Sequence, residues 1–209
     1  NGSTRERLAQ GGDAMAALYR NDGRGRFEDV TATAGVDRRG WASGVCAADY
    51  DNDGFQDVFL TALRADVLWG NTGKGTFVDV TRRAGIDDNR WSTSCAFADY
   101  DRDGLLDLYV ATYVKFDETI PGRGTTANCR FMGTSVFCGP KKLTGDGDLL
   151  YRNTGAGTFV DVTARAGIVD PGSYGFGVVF TDLNDDGWPD IYVANHSVAQ
   201  LLFLNRRNR

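Results

Sequence analysis

The chain has 209 residues, of which 42% are hydrophobic and 24% are charged, so it can bury a core and remain soluble. Its formal net charge of −5 argues against a nucleic-acid binder, which normally carries a basic face. No apolar stretch reaches the length of a bilayer-spanning helix, so a membrane span is not expected. The 27 glycines, 4 prolines and 11% aromatic residues favour short strands joined by tight turns.

The first recurring element is a short hairpin pattern that starts at Leu18 and reads L-Y-R-N-D-G-R-G-R-F-E-D-V-T. Related copies start at Leu68 and Leu150, and a further copy begins as L-F-L-N at Leu202. Each copy predicts a short strand, a glycine-rich turn and a second short strand whose apolar residues alternate. Self-similarity of this kind indicates a repeat architecture.

A second hairpin pattern alternates with the first, and an aspartate-rich loop joins its two predicted strands. Its copies span 41–60, 91–110 and 174–193. The first two loops begin at Asp49 and Asp99, 50 positions apart, whereas the third begins at Asp182, 83 positions further on. An insert at 114–147 accounts for the longer spacing.

One hairpin of each type makes a four-stranded sheet, and sheets that recur every 40–50 residues or so are typical of propeller blades. The sequence therefore predicts an all-β fold, a β-propeller built of four-stranded blades, in a single region over 1–209. The predicted repeats span about 18–67, 68–149 and 150–201, with the start of another at 202–209. Since a closed propeller takes roughly four to eight blades, about three blades predict a fragment or an open arc. The edges of such an arc need a partner, for which the remaining blades of the parent protein are the natural candidates.

The aspartate-rich loops carry the pattern that indicates a metal. Oxygen-bearing side chains recur at loop positions 1, 3, 5 and 9, with glycine at position 6, as in the first part of a calcium loop. Alternate residues of a tight turn direct their side chains to one centre, and the residue at position 7 offers a backbone carbonyl. The predicted ligands are Asp49, Asp51, Asp53, Phe55, Asp57, Asp99, Asp101, Asp103, Leu105, Asp107, Asp182, Asn184, Asp186, Trp188 and Asp190.

These loops differ from EF-hands, which need flanking helices and a bidentate glutamate at position 12. That position is occupied by Leu60, Val110 and Val193, and aspartate at position 9 takes over the glutamate's role. Surface Asx-turns would explain one such loop, but three copies at the same place in the repeat favour about three Ca²⁺ ions. Mg²⁺ is disfavoured because it resists dehydration, and Asn184 weakens the third site by removing one charge.

Together these residues resemble a known family. The strand followed by D-x-D-x-D-G-x-x-D is similar to the FG-GAP or VCBS repeat of integrin-type β-propellers. The L-Y-R-N hairpin and a Cys…Cys-Gly-Pro insert resemble the cartilage acidic protein, or ASPIC/UnbV-related, group. The resemblance covers about 18–205. It implies that the loops bind calcium, that the protein is extracellular, cell-surface or periplasmic, and that its role is adhesion-like binding.

The four cysteines predict one disulfide. Cys129 and Cys138 lie near each other in the insert, and a bond between them would staple an irregular loop, with free thiols as the alternative. Zinc is disfavoured because neither a C-x-x-C pair nor a nearby histidine completes a site. Cys46 and Cys95 occupy equivalent strands at different offsets from the loop, which places them on opposite faces. They are expected to be buried free thiols.

The predicted function is a calcium-binding repeat module that acts as an extracellular binding or adhesion scaffold. Its calcium is structural, and its ligand is a protein or a glycan. No catalytic residue and no organic cofactor are expected, because each repeated aspartate already has a metal role and His196 lacks a nucleophile motif.

Two alternatives stay open. A lectin-like propeller would line a sugar surface with Trp41, Trp91 and Tyr174, although packing between blades is the favoured role of these rings. An accessory domain of a polysaccharide-active enzyme would need paired carboxylates in a cleft. Outside the loops, Glu118 and Asp146 are single candidates for that role.

Overall fold

The computed structural model of the protein describes residues 16–116, 130–135, 140 and 143–207. Within these ranges the chain forms short antiparallel strands and one four-residue helix, and none of its helices is long and apolar enough to cross a membrane. The elements are β1 (Tyr19–Asn21), β2 (Phe27–Asp29), α1 (Thr31–Ala34), β3 (Ala42–Ala48), β4 (Asp57–Ala62), β5 (Val67–Asn71), β6 (Phe77–Asp79), β7 (Ser92–Ala98), β8 (Asp107–Thr112), β9 (Arg130–Phe131), β10 (Thr134–Ser135), β11 (Leu149–Asn153), β12 (Phe159–Asp161), β13 (Gly175–Thr181), β14 (Asp190–Asn195) and β15 (Leu201–Phe203).

The strands group into blade-like sheets, which confirms the predicted all-β architecture of a partial β-propeller. Blade 1 has the strand order β3-β4-β5-β6, and blade 2 repeats it as β7-β8-β11-β12. Blade 3 contains β13-β14-β15 within the described residues, and β1-β2 forms a leading hairpin before blade 1. The small β9-β10 hairpin belongs to the insert.

Each blade is built from the inside outward along the chain. The aspartate-loop hairpin supplies the two inner strands, and the L-Y-R-N hairpin that follows supplies the two outer ones. A sheet therefore takes its inner hairpin from one predicted repeat and its outer hairpin from the next. The division into repeats remains a prediction about the sequence period.

The inner strands of neighbouring blades approach each other closely. β3 and β7 each carry a register shift near their start, and Gly44 lies at the shift in β3. A Cβ atom on Gly44 would collide with the backbone oxygen of Thr93 on β7. Glycine is needed here because it permits two backbones to come within contact distance.

Hydrophobic side chains fill the spaces between blades. Phe59, Leu68 and Leu108 belong to a fully buried cluster between blades 1 and 2, and Tyr109 and Val193 to another between blades 2 and 3. A third, smaller cluster lies between the leading hairpin and blade 1. Successive blades thus bury the faces that a single four-stranded sheet would leave open to water.

The prediction of free thiols at Cys46 and Cys95 is wrong. These residues form a disulfide between β3 of blade 1 and β7 of blade 2, with their Cα atoms 5.9 Å apart. The inference that they lie on opposite faces of their strands was the reason for expecting no bond. In stacked blades, however, the face of β3 that points toward blade 2 contacts the face of β7 that points toward blade 1. Side chains on opposite faces of two equivalent strands are therefore the ones that meet. The predicted Cys129–Cys138 bond lies outside the described residues.

Candidate metal centres

The three aspartate-rich loops occupy equivalent places in the three blades. Loop 1 (49–57), loop 2 (99–107) and loop 3 (182–190) each join the first two strands of a blade. The aspartate at position 9 opens the second strand in every case and is fully buried there. All three loops therefore lie at one end of the sheets.

The aspartate at position 1 organises each loop. In loop 1 the two carboxylate oxygens of Asp49 accept hydrogen bonds from the N–H groups of Asp53 (3.0 Å) and Gly54 (2.9 Å). Loops 2 and 3 repeat both contacts. Gly54 has a φ angle of 91°, in the left-handed region that favours glycine, so the turn depends on glycine at position 6.

The aspartate at position 9 ties the loop to the outer hairpin of its own blade. In loop 2, Asp107 accepts hydrogen bonds from the N–H groups of Tyr100 (3.2 Å) and Asn153 (2.8 Å). Burial raises the pKa of Asp107 to about 7 in spite of these bonds, and it raises the pKa of the equivalent Asp57 to about 6. An opposite charge nearby would favour the ionised form of both groups.

Carboxylate oxygens converge in the first two loops. One oxygen from each of Asp99, Asp101 and Asp107 lies within 4.8 Å of the others, and loop 1 brings Asp49, Asp51 and Asp57 together in the same way. In loop 3 the middle place belongs to Asn184, which contributes an amide oxygen without a charge.

Asp101 provides an independent test of whether a cation fits. Its side chain is only 9% exposed, and its Oδ1 atom has no hydrogen-bond partner within the described part of the chain. Burying a carboxylate oxygen without a partner is costly, and a hard cation would remove that cost. The partly buried set of hard oxygen donors in loop 2 therefore fits a divalent ion such as Ca²⁺.

The remaining predicted ligands have other contacts. Asp53 and Asp103 lie outside the two convergent groups, and each accepts a hydrogen bond from the N–H of the residue at position 7 (2.9 and 3.0 Å). Asp186 does the same for Trp188 at 3.0 Å. The role of the position-7 carbonyls of Phe55, Leu105 and Trp188 stays a prediction.

Sequence reasoning missed an asparagine that links neighbouring loops. The Nδ2 group of Asn153 in blade 2 donates to the backbone oxygens of Leu106 in loop 2 (3.0 Å) and Tyr50 in loop 1 (2.7 Å). Asn205 makes the matching contacts in blade 3, to Pro189 of loop 3 (3.2 Å) and Tyr100 of loop 2 (2.8 Å). The recurrence of asparagine in every L-Y-R-N copy was the available sequence clue.

A basic residue on the outer hairpin of blade 2 was also missed. The guanidinium of Arg152 contacts Asp101 (Nε to Oδ2, 2.5 Å) and Asp103 (Nη2 to Oδ2, 2.6 Å). Further contacts run directly from loop to loop. Asn52 donates to the Gly104 backbone oxygen at 3.4 Å, and the Arg102 guanidinium lies 5.3 Å from the centre of the Trp188 ring.

An aromatic band lies at the opposite end of the sheets from the loops. Trp41 and Trp91 have ring centroids 5.4 Å apart, and Trp91 lies 5.3 Å from Tyr113. Tyr113 contacts Tyr174 (6.1 Å) and shares a 2.8 Å hydrogen bond with His196. Apart from the Trp91–Tyr113 pair, whose members flank β7 and β8 of blade 2, these contacts cross from blade to blade, as expected for rings that pack between blades.

Of the two carboxylates considered for polysaccharide chemistry, the structure describes Asp146. Glu118 lies outside the described residues. Asp146 lies 3.9 Å from the Nζ atom of Lys115, in an ordinary ion pair.

Comparison with known proteins places these loops in a family context. The FG-GAP-like repeat family matches residues 8–60, 49–110 and 136–193. Cartilage acidic protein 1 of Mus musculus is 33% identical over 97 residues, which is 46% of this chain and 15% of that protein. The protein of the same name from Homo sapiens is 44% identical over 57 residues, 27% of this chain and 9% of that protein. The matched stretch thus spans a small part of these relatives.

A solved structure of an Agrocybe aegerita lectin, described as recognising non-reducing terminal N-acetylglucosamine, is also similar. The alignment covers 93% of this chain and 44% of the lectin, at 20% identity and a TM-score of 0.44.

Proposed function

This chain belongs to the FG-GAP-like repeat family, and we propose that it is a calcium-binding propeller module in which the bound ions are structural. The observation that carries the proposal is the buried Oδ1 atom of Asp101, which has no partner in the part of the chain that the structure describes and lies beside the converging oxygens of Asp99 and Asp107. Like charges at such separations repel strongly in a partly buried site, so a divalent counter-ion stabilises the loop.

The ion would be held in loop 1 by Asp49, Asp51 and Asp57 and in loop 2 by the equivalent aspartates. Loop 3, which has Asn184 at the third position, would hold a third ion more weakly. When bound, Ca²⁺ supplies positive charge and no chemistry of its own. The role of the protein residues is to fix the strand ends around it, and the module is proposed to be non-enzymatic.

An extracellular binding or adhesion scaffold is the wider role that we propose. The disulfide between blades 1 and 2 supports this location, because such bonds persist mainly in oxidising compartments. The mouse and human relatives are named for cartilage, a tissue made largely of extracellular matrix. The ligand is a protein or a glycan bound by the assembled blades.

Calorimetric titration with Ca²⁺ and thermal melting in excess EDTA test the proposal. We expect saturable calcium uptake and a lower melting temperature in EDTA, because an ion that binds only the folded state stabilises it. Asp101→Ala should weaken one site. Arg20→Ala is a control outside the loops, since Arg20 pairs with Glu28 at 2.7 Å in the leading hairpin. Absence of calcium uptake by folded protein would sink the proposal.

A further inference from the structure

Arg152 contacts two carboxylates of loop 2, an arrangement that neither of the other loops has within the described residues. It projects from β11, in the outer hairpin of blade 2, and its guanidinium reaches two carboxylates of loop 2, those of Asp101 and Asp103. In blade 1 the equivalent position is Gly70, which has no side chain to offer, and in blade 3 it is Leu204, which is apolar. Loop 3 has a looser contact, in which the Arg207 Nε atom lies 3.4 Å from Asp186 Oδ2.

The contacts of Arg152 occupy oxygens that a cation would otherwise use. Asp103 Oδ2 is bound by the guanidinium, while Asp103 Oδ1 accepts the N–H of Leu105 at 3.0 Å. Both oxygens of Asp103 are therefore engaged by the protein itself. Asp101 is engaged through Oδ2 alone, and its buried Oδ1 atom stays unpartnered within the described residues. Arg152 thus partly neutralises loop 2 and leaves Asp101 Oδ1 available to a cation.

We propose that Arg152 is a built-in counter-ion of loop 2, which lowers the affinity of this loop for calcium and reduces its need for calcium to stay folded. The inference rests on the proposed function of the loops. A positive charge within a few ångströms of a bound cation repels it, and the same charge stabilises the carboxylates when the cation is absent. Loop 1, which has Gly70 at the equivalent position, should bind calcium more tightly than loop 2 and should depend more on calcium to stay folded.

Exchange of the two residues between blades tests this directly. Gly70 has no left-handed φ, and a Cβ there would lie 3.3 Å from the side chain of Val80, which must shift by a few tenths of an ångström to admit Arg. Calcium affinity is measured by calorimetry for Arg152→Gly in a background where Asp51→Ala and Asn184→Ala weaken loops 1 and 3. Removal of the charge should tighten loop 2 by roughly tenfold, the effect of about 1.4 kcal/mol.

A second readout separates this role from simple packing. In excess EDTA, Arg152→Gly should lower the melting temperature more than it does in saturating calcium, because the counter-ion matters most when the ion is missing. Gly70→Arg should have the reverse effect on loop 1, with weaker binding and better stability in EDTA. Arg20→Gly, at the same hairpin position but paired with Glu28, should change neither quantity.

Two further variants keep the test decisive if Arg152→Gly does not fold. Arg152→Gln removes the charge but keeps the side-chain length, and it carries the same expectation as Arg152→Gly. Arg152→Lys keeps the charge and should stay near the wild-type affinity. Saturable calcium sites with an unchanged or weaker affinity in Arg152→Gly and Arg152→Gln would overturn this inference alone. A wild-type protein that binds no calcium would overturn the proposed function with it.

Discussion

Asp66 is a buried carboxyl group that lies away from the metal loops. Its Oδ1 atom accepts the N–H of Ala62 at 2.8 Å, and its Oδ2 atom has no partner among the described residues. Burial raises the pKa of Asp66 from its ordinary 3.8 to about 7. The folded state therefore holds this proton more tightly than the unfolded state. The resulting stability is complete below the unfolded pKa and is lost as pH rises through the folded pKa.

Asp66→Asn should remove this pH dependence. Between pH 5 and pH 8 the wild-type protein should lose about 2 kcal/mol of unfolding free energy through this group, and the amide variant should not. Urea unfolding of both proteins at the two pH values, in saturating calcium, measures the difference. Parallel pH profiles for the two proteins would rule out the proton assignment.

Individual residues also show which contacts could be predicted from the sequence and which could not. The convergence of the aspartates at positions 1, 3 and 9 of loops 1 and 2 was predictable, because oxygen donors repeated at this spacing are typical of a cation-binding loop. Asn153 and Arg152 were not, because their partners lie about 50 to 100 positions away and depend on which hairpin stacks on which. The Cys46–Cys95 bond was predicted wrongly because strand faces were considered within one sheet, whereas the bond joins two sheets.

At the scale of elements, the outer hairpin connects successive loops through its asparagine. Asn153 is buried and bonds to the backbone oxygens of both Tyr50 and Leu106, in two different blades. Asn71 in blade 1 makes the contact to its own blade, to the Gln56 oxygen at 2.9 Å. Both asparagines also accept the N–H of the glycine two residues later, at 3.0 Å, so their turns are alike.

Asn153→Ala and Asn71→Ala form a matched pair that isolates the link between blades. Asn153→Ala leaves the buried oxygen of Tyr50 and the half-buried oxygen of Leu106 without their donor, so we expect a loss of about 2–3 kcal/mol in unfolding free energy. Asn71→Ala should lower the unfolding free energy by about 1 kcal/mol, because the hydrogen bond that it removes is exposed and lies within blade 1. Urea denaturation in calcium provides both values, and equal losses would show that the contact across blades adds nothing.

At the scale of the whole molecule, equivalent positions on the first strands of the blades are buried where another blade packs against them and exposed where no described blade does. Val45 on β3 is 65% exposed, whereas Cys95 at the equivalent place on β7 is 8% exposed. On the other face, Val179 of β13 is 51% exposed, whereas the equivalent Cys46 is bonded to the next blade. The same apolar strand positions are therefore covered where two blades meet and exposed at the two ends of the described arc.

The disulfide should stabilise the stack of blades as a unit. Cys46 and Cys95 are separated by 49 residues, and closing a loop of that size limits the unfolded chain. Cys46→Ala with Cys95→Ala should lower the unfolding free energy by about 2–4 kcal/mol. Urea titrations with and without reductant measure this change. If the double variant and the wild-type protein prove equally stable under oxidising conditions, the bond does not stabilise the stack.

Each blade combines the inner hairpin of one sequence repeat with the outer hairpin of the next, and this affects where the chain can be cut into fragments. A boundary drawn where the L-Y-R-N pattern begins, as at Leu68, separates β4 from the β5 strand that pairs with it and leaves a half-sheet on either side. A boundary between β6 and β7 passes between complete sheets, although it cuts the chain within the loop that Cys46 and Cys95 enclose. Fragments designed for expression should therefore follow the sheets rather than the sequence period, and should keep blades 1 and 2 together.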